Sequence, residues 1–243
     1  MILSSLEPQE IDRAFARSQQ ILDIHEDELA HALRAENRRF FKQIQGALIK
    51  GEPFDLDAAT AQHRSNLEQI YARHLIDTGD SFGQHILSAT GDGLRHEEWA
   101  NGYLFAAMSG IALLAADRFS NWSAYHVRRI SNISHRRRQG EVDAFLKHRG
   151  DQRAATSAGA EVHAASQRST VAAGDFTGKI RKRAWMSRLD GNERPAHHDA
   201  HKQIVALDQP FLVGGEQLRF PGDPRVSFGN WINCRCASAL IME

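Results

Sequence analysis

Apolar residues recur at helical spacing through the first half of the chain. Over residues 7–50 they stand three, four and seven positions apart, which predicts one long helix with Ser5 or Pro8 near its start. Gly51 and Pro53 interrupt the pattern, because glycine and proline are the residues that most often break a helix. The first predicted element is therefore a long helix that ends near Gly51.

The same spacing continues in a second helix, which runs to Thr90 with Asp55 or Asp57 as its N-terminal cap. His74 lies on the apolar face of this helix. A single histidine in such a position is typical of a core or an interface rather than of a metal site. Gly91–Gly93 then predicts a turn.

The most apolar stretch is Trp99–Ala116. Its uninterrupted part, residues 103–116, is fourteen residues long and falls short of the about twenty that a membrane-spanning helix needs. We therefore expect a core helix and no membrane contact. Gly102, Ala106 and Gly110 are spaced four apart and give this helix a smooth face on which another helix can lie closely.

Residues 122–150 are polar and basic, and small residues predominate after them. This pattern predicts a helix at Trp122–Gly150, a small-residue helix at Ala154–Ala165 and a flexible segment at Ala172–Gly174. Lys179–Ser187 is then expected to be a strand. Pro195–His201 is expected to be a short helix with proline at its first position.

The C-terminal residues predict a hairpin and a final strand. Phe211–Val213 and Gln217–Phe220 flank Gly214-Gly215, a signal for a tight β-turn. The Cys234–Cys236 segment leads into the last apolar strand. Alternation along a strand would place the two thiols on one face and the arginine between them on the other.

These elements predict an α+β protein. Residues 1–174 form a long, mostly α-helical region, and residues 175–243 form a small α+β module with a short antiparallel sheet. The composition, 42% hydrophobic and 25% charged, is that of a soluble protein with a substantial core. Two cysteines make no disulfide framework, and polar residues interrupt the first apolar ones too early for a secretion signal.

Charge is unevenly distributed although the net charge is zero. Residues 1–120 contain 11 Lys and Arg against 18 Asp and Glu, and residues 121–243 contain 19 against 12. This split predicts that the two halves face different partners. The alternative is that the charge of helical surfaces varies along the chain without a functional reason. The densest basic stretches predict contact with the backbone of double-stranded DNA, although a solvated helix face has the same composition. The residues proposed for this contact are Arg136, Arg137, Arg138, Lys179, Arg181, Lys182 and Arg183.

Five local signals stand in a fixed order in the last quarter of the chain: a tryptophan strand, an aspartate with Arg-x-x-His, a glycine hairpin, Pro-Gly-Asp-Pro and Asn-Cys-Arg-Cys. They are carried by Trp185, Asp190, Arg194, His197, Gly214, Gly215, Pro221, Gly222, Asp223, Pro224, Asn233, Cys234, Arg235 and Cys236. This order resembles the Mu F-like minor head proteins of tailed phages, which contain the phage head morphogenesis domain. One departure is Asn192, where members of that family often have arginine.

The resemblance implies a structural minor head protein of a tailed phage or prophage that is associated with the portal and acts in head assembly. Its partners would be portal protein and capsid proteins, with packaged DNA as a further contact. Its location would be the virion, in the phage head at or inside the portal vertex, and the bacterial host cytoplasm during assembly.

Histidines and cysteines of the C-terminal module allow two interpretations. His197 and His201 are four apart on a helix, and Cys234 and Cys236 share a strand face, so the four could form a tetrahedral zinc site. Alternatively, Arg194 and His197 form a hydrogen-bonded brace with Asp190 while the cysteines pack as small hydrophobic residues. We favour the brace, and therefore expect no cofactor, with structural zinc as the alternative.

Catalysis is the weaker hypothesis. Residues 197–201 read His-His-Asp-Ala-His, which lacks the glutamate that serves as general base in the metalloprotease helix motif. A cysteine nucleophile with His197 as its base remains an alternative, as in a metal-dependent or Cys/His-dependent hydrolase or a toxin. A third alternative is a plain nucleic-acid-binding module. The sequence contains neither a phosphate-binding loop nor a nucleophile elbow, so we expect a protein that is not an enzyme.

Overall fold

The computed structural model describes residues 1–3 and 7–242, and it confirms the α+β class. The helices are α1 (Pro8–Lys50), α2 (Leu56–Ala89), α3 (His96–Glu98), α4 (Phe105–Ser131), α5 (His135–Ala144), α6 (Gly150–Thr177), α7 (Pro195–Asp199) and α8 (Phe228–Trp231). A 3₁₀ turn at Gly93–Arg95 precedes α3, and π-helical segments at Trp99–Leu104 and Phe145–Arg149 precede α4 and α6. The strands are β1 (Ile2–Leu3), β2 (Lys182–Met186), β3 (Ile204–Ala206), β4 (Phe211–Val213), β5 (Glu216–Leu218) and β6 (Ala237–Ile241).

The first two helices agree with the sequence pattern. Helix α1 begins at Pro8, whereas Ser5 lies outside the described residues. The cap of α2 is Asp55, because its Oδ1 accepts a hydrogen bond from the Ala58 N–H at 2.9 Å. His74 is half-buried on α2, as expected for a core or interface residue.

The single helix expected at Trp122–Gly150 is wrong. Helix α4 ends at Ser131, and the chain turns at residues 132–134 before α5 begins. The guanidinium of Arg138 closes this turn by donating to the carbonyls of Ser131, Ile133 and Leu48 at 2.7, 3.1 and 3.2 Å. One side chain thereby satisfies carbonyls that the end of a helix leaves unpaired.

Helix α6 is longer than the sequence pattern indicates. It covers Gly150–Thr177 instead of Ala154–Ala165, and the segment Ala172–Gly174 that was expected to be flexible is helical. The side chain of Ala173 is fully buried, and a Cβ added at Gly174 would lie 2.9 Å from the Leu240 side chain. The small residues therefore permit close packing and do not mark a linker.

The main sheet has the strand order β1-β6-β2-β3. Strand β2 is antiparallel to both neighbours, with Trp185 opposite Ser238, whereas β1 runs parallel to β6. Strands β4 and β5 form a separate hairpin joined by Gly214 and Gly215, whose φ angles are +57° and +82°. Two consecutive positive φ angles are the requirement of a tight type I′ turn, which explains the glycine pair.

Contacts divide the chain into two compact units that differ from the boundary expected near residue 175. One unit contains Met1–His25, Leu75–Ile111 and Ala160–Glu243, and the other contains Glu26–His74 and Ala112–Gly159. The C-terminal strands belong with the second half of α6, because the Ser238 N–H of β6 donates to Gln167 Oε1 at 2.7 Å.

The unit formed by residues 26–74 and 112–159 encloses an aromatic core beside a buried polar group. The rings of Phe41 and Phe145 stack with centroids 4.0 Å apart. Glu36 is 6% exposed and accepts hydrogen bonds from His63 Nδ1 at 2.8 Å and from the guanidinium of Arg39 at 2.7 and 2.9 Å. Burial alone would raise the pKa of Glu36, but these hydrogen bonds and one from Asn66 outweigh it and lower the pKa to about 2.

The apolar helical stretch that contains α4 is only partly buried. In the described residues, Gly93–Ser131 is the one stretch that is long and apolar enough to cross a membrane, and 44% of its most apolar window is buried inside the protein. Core helices of soluble proteins meet the same criterion. Met108 and Ile111 are buried, whereas Phe105 is 61% exposed and Ala106 is exposed beside it.

Candidate functional site

Trp185, on strand β2, is fully buried at the centre of the C-terminal module. Its ring makes edge-to-face contacts with His197 and with Phe211, each at 5.4 Å between centroids. Its Nε1–H donates to Ser187 Oγ at 3.2 Å. The tryptophan thus supports both the hairpin and helix α7, and it fixes the position of the histidine beside it.

The loop between β2 and α7 is joined to the segment before β6 by two arginines. Asp190 accepts hydrogen bonds from Arg235 at 2.7 and 2.9 Å, and this contact is the main cause of the lowered pKa of Asp190. Arg194 donates to the Ile232 carbonyl at 2.5 Å. The expected pairing of Arg194 with Asp190 is therefore wrong, because Arg235 occupies that carboxylate.

The imidazole of His197 lies between the two thiols. Its Nδ1 is 3.7 Å from Cys234 Sγ and 3.4 Å from Cys236 Sγ, and the three ligand atoms all lie within 4.8 Å of one another. His197 is 1% exposed, and the cysteines are 6% and 3% exposed. Both cysteines precede β6 instead of lying on it. Their thiols are nevertheless buried beside His197, whereas Arg235 is exposed and bound to Asp190.

His201 does not join this cluster, contrary to the four-ligand hypothesis. Helix α7 ends at Asp199, so the four-residue spacing does not place His201 above His197. The chain turns at Lys202, whose φ is +63°. His201 Nδ1 instead accepts a hydrogen bond from the Ser187 N–H at 3.1 Å.

The two thiols differ in acidity because they share a hydrogen bond. Donation from Cys234 lowers the pKa of Cys236 to about 5, with further contributions from His197 and Ser187. The same hydrogen bond and burial raise the pKa of Cys234. The cluster therefore stabilises a thiolate next to an imidazole, which suits metal binding and also nucleophilic chemistry.

A small cavity of about 20 Å³ adjoins the cluster. It is lined by Arg188, Asn192, Glu193, Arg194, His197, Asn233, Arg235 and Cys236. A volume of this size holds one water molecule.

The remaining motif residues shape the loops around the cluster. A Cβ at Gly222, whose φ is +78°, would lie 2.7 Å from the His163 ring of α6. Asp223 is 1% exposed and accepts hydrogen bonds from the Arg219 N–H and from the backbone and side chain of Arg225. Pro-Gly-Asp-Pro is thus a structural loop that packs against α6.

One polar residue of the site is absent from the sequence-based set. Ser187 Oγ lies 3.7 Å from Cys236 Sγ and donates to the His197 carbonyl at 2.5 Å. It stands two residues after Trp185, so strand alternation already places it on the same face. That spacing was the signal that could have identified it.

Three of the seven basic residues expected to contact DNA are engaged by other groups of the protein. Arg183 is 2% exposed and donates to the carbonyls of Gln209 and Arg219, so it is not available to DNA. Arg138 is held by the three carbonyls of the α4–α5 turn. Lys179 pairs with Asp92 at 2.8 Å.

The other four basic residues are exposed. Arg136 and Arg137 are on α5. Arg181 immediately precedes β2 and Lys182 is its first residue, and both belong to the other unit.

Comparison with known proteins gives no match. No family model fits this sequence, and no curated protein or solved structure is significantly similar to it.

Proposed function

We propose that this protein is a structural minor head protein of a tailed phage or prophage, associated with the portal and acting in head assembly. The observation that supports this proposal is the convergence of the motif residues. Asp190 meets Arg235, Arg194 meets the Ile232 carbonyl, and His197 meets the two cysteines. Residues that resemble a family pattern and lie far apart in sequence therefore build one compact module.

Portal protein is the proposed partner of the exposed face at the start of α4. This face comprises Gly102, Tyr103, Phe105, Ala106 and Gly110, all of them exposed. A Cβ at either glycine would meet no atom within 4 Å, so a helix of the partner can approach the backbone closely. An exposed group of apolar side chains on a soluble protein is typical of an interaction surface.

Capsid proteins and packaged DNA are the further proposed contacts. Capsid proteins are the other proposed partners, in the phage head at the portal vertex after assembly in the host cytoplasm. The role is structural and not catalytic, and no membrane takes part. Arg136 and Arg137 are exposed on α5 and are the residues proposed to contact packaged double-stranded DNA.

Co-purification with portal protein tests the proposal. The full chain is co-expressed with the portal protein encoded in the same genome. Ala106→Leu adds bulk at the proposed contact face and is expected to reduce recovery of the complex at least tenfold. Ala155→Leu makes the same change at an exposed position of α6 and serves as the matched control.

Two different results would contradict the contact face and the head-assembly function. Equal recovery of both variants would show that another surface binds the portal. Failure of the unchanged protein to associate with portal or capsid proteins would refute the head-assembly function.

A further inference from the structure

We propose that His197, Cys234 and Cys236 bind one Zn²⁺ ion, with a water molecule as the fourth ligand. Zinc in a tetrahedral site lies about 2.3 Å from sulfur and about 2.0–2.1 Å from nitrogen, so neighbouring ligand atoms are separated by roughly 3.5–3.8 Å. The observed sulfur–nitrogen separations are 3.7 and 3.4 Å. The two sulfur–nitrogen separations therefore already match the spacing that the ion requires, and no two of the three ligand atoms are more than 4.8 Å apart.

The type of ligand selects the metal. Two thiolates and one imidazole favour zinc over magnesium and calcium, which prefer oxygen ligands. Both cysteines bind the ion as thiolates, and their two negative charges balance the charge of Zn²⁺. The bound site is thus neutral, as a site with ligands at 1%, 6% and 3% exposure requires.

The histidine argues against simple hydrophobic packing of the cysteines. Two thiols that fill a core need no ring nitrogen, yet His197 Nδ1 faces both sulfurs. Its Nε2 is buried and has no hydrogen-bond partner in the described part of the chain. With the proton on Nε2, the lone pair of Nδ1 points toward the sulfurs, where a metal ion would accept it.

Neighbouring groups hold the ligands in place. The His197 N–H donates to the Arg194 carbonyl at 2.9 Å, which fixes the start of α7. Arg194 in turn binds the Ile232 carbonyl, two residues before Cys234. Ser187 Oγ supports Cys236 at 3.7 Å. Contacts of this kind orient metal ligands and contribute to affinity.

His201 does not supply the fourth ligand, because its Nδ1 accepts a hydrogen bond from the Ser187 N–H. The cavity of about 20 Å³ borders both His197 and Cys236 and has room for one water molecule. Three protein ligands with a water molecule form a Cys₂His site with an exchangeable position. The site does not depend on the head-assembly function, since its ligands come from the fold alone.

Metal analysis of the full chain, purified under reducing conditions with added ZnCl₂, tests the site. We expect about one zinc per chain. His197→Gln, Cys234→Ser and Cys236→Ser should each weaken zinc binding by more than about 100-fold, the upper loss typical for groups that only support a ligand. His201→Gln is the matched control and should retain the zinc.

Titration of the unchanged chain with Co²⁺ gives a readout that does not depend on the folding of variants. Visible absorption bands of tetrahedral cobalt with thiolate charge transfer would support the site, and octahedral bands would overturn it. A metal-free protein whose Tm does not change with chelator would also overturn it. So would a loss of zinc in His201→Gln equal to that in His197→Gln.

Discussion

The buried carboxylate of Glu36 should make a measurable, pH-dependent contribution to the free energy of unfolding. Its pKa of about 2 in the folded protein compares with about 4.5 for an ordinary glutamate. At about 1.36 kcal/mol per pH unit, this difference makes ionised Glu36 worth about 3 kcal/mol to the folded state. The contribution is fully present above the unfolded-state pKa and is lost as the pH falls from about 4.5 toward about 2.

Glu36→Gln removes the charge but keeps the shape of the side chain. Its hydrogen bonds with His63 and Arg39 become weaker, so we expect the variant to be less stable by about 3 kcal/mol at about pH 7. The gap should shrink steadily on acidification below about pH 4.5, because the unchanged protein then loses the same charge. Urea unfolding followed by circular dichroism at a series of pH values measures both effects.

Glu68→Gln is the matched control, since Glu68 pairs with Arg64 at 3.1 Å on the surface of α2. Its loss should cost no more than about 0.5 kcal/mol. A Glu36→Gln gap that stays constant from neutral to acid pH would refute the reasoning. So would a gap no larger than that of the surface control.

Two further predictions concern the arginine triplet of α5. Arg138→Ala should lower the free energy of unfolding by about 2–3 kcal/mol in denaturant titrations, because three carbonyls lose their donor. Arg137→Ala is the exposed control and should change it by less than about 0.5 kcal/mol. Replacing Arg136 and Arg137 with glutamine should weaken binding to any duplex DNA and reduce the salt slope by roughly one per lost phosphate contact in fluorescence anisotropy. DNA binding that is undetectable at low salt, or that does not respond to salt, would contradict that contact.

Local patterns predicted the elements that depend on local physics. The start of α1 at Pro8, the cap of α2 at Asp55 and the hairpin at Gly214-Gly215 agree with periodicity, capping and turn chemistry. The order of motifs also placed Trp185 and His197 in one module. Each of these features is specified within a few residues of sequence.

Tertiary contacts decided the features that sequence reasoning missed. The turn after α4 contains neither glycine nor proline, and it is stabilised by Arg138 reaching the distant Leu48 carbonyl. Arg183 was expected on a charged surface, but carbonyls from two loops satisfy its guanidinium inside the protein. His201 is absent from the metal cluster because α7 ends at Asp199, two residues earlier than predicted. The Leu48 carbonyl and the two carbonyls bound by Arg183 are distant in sequence from these arginines.

The hydrogen bond from the Ser238 N–H to Gln167 Oε1 limits where the C-terminal module could be cut from the rest of the protein. A fragment cut at residue 175 would carry the whole family-like pattern but would lose the helix that pairs with the Ser238 N–H and packs His163 against Gly222. Its sheet would expose one face and an unpaired donor to water. A fragment that keeps these contacts must begin no later than about Ala160, and it would still lack strand β1, which pairs with β6. The segment that carries the motifs is therefore shorter than the unit that folds around it.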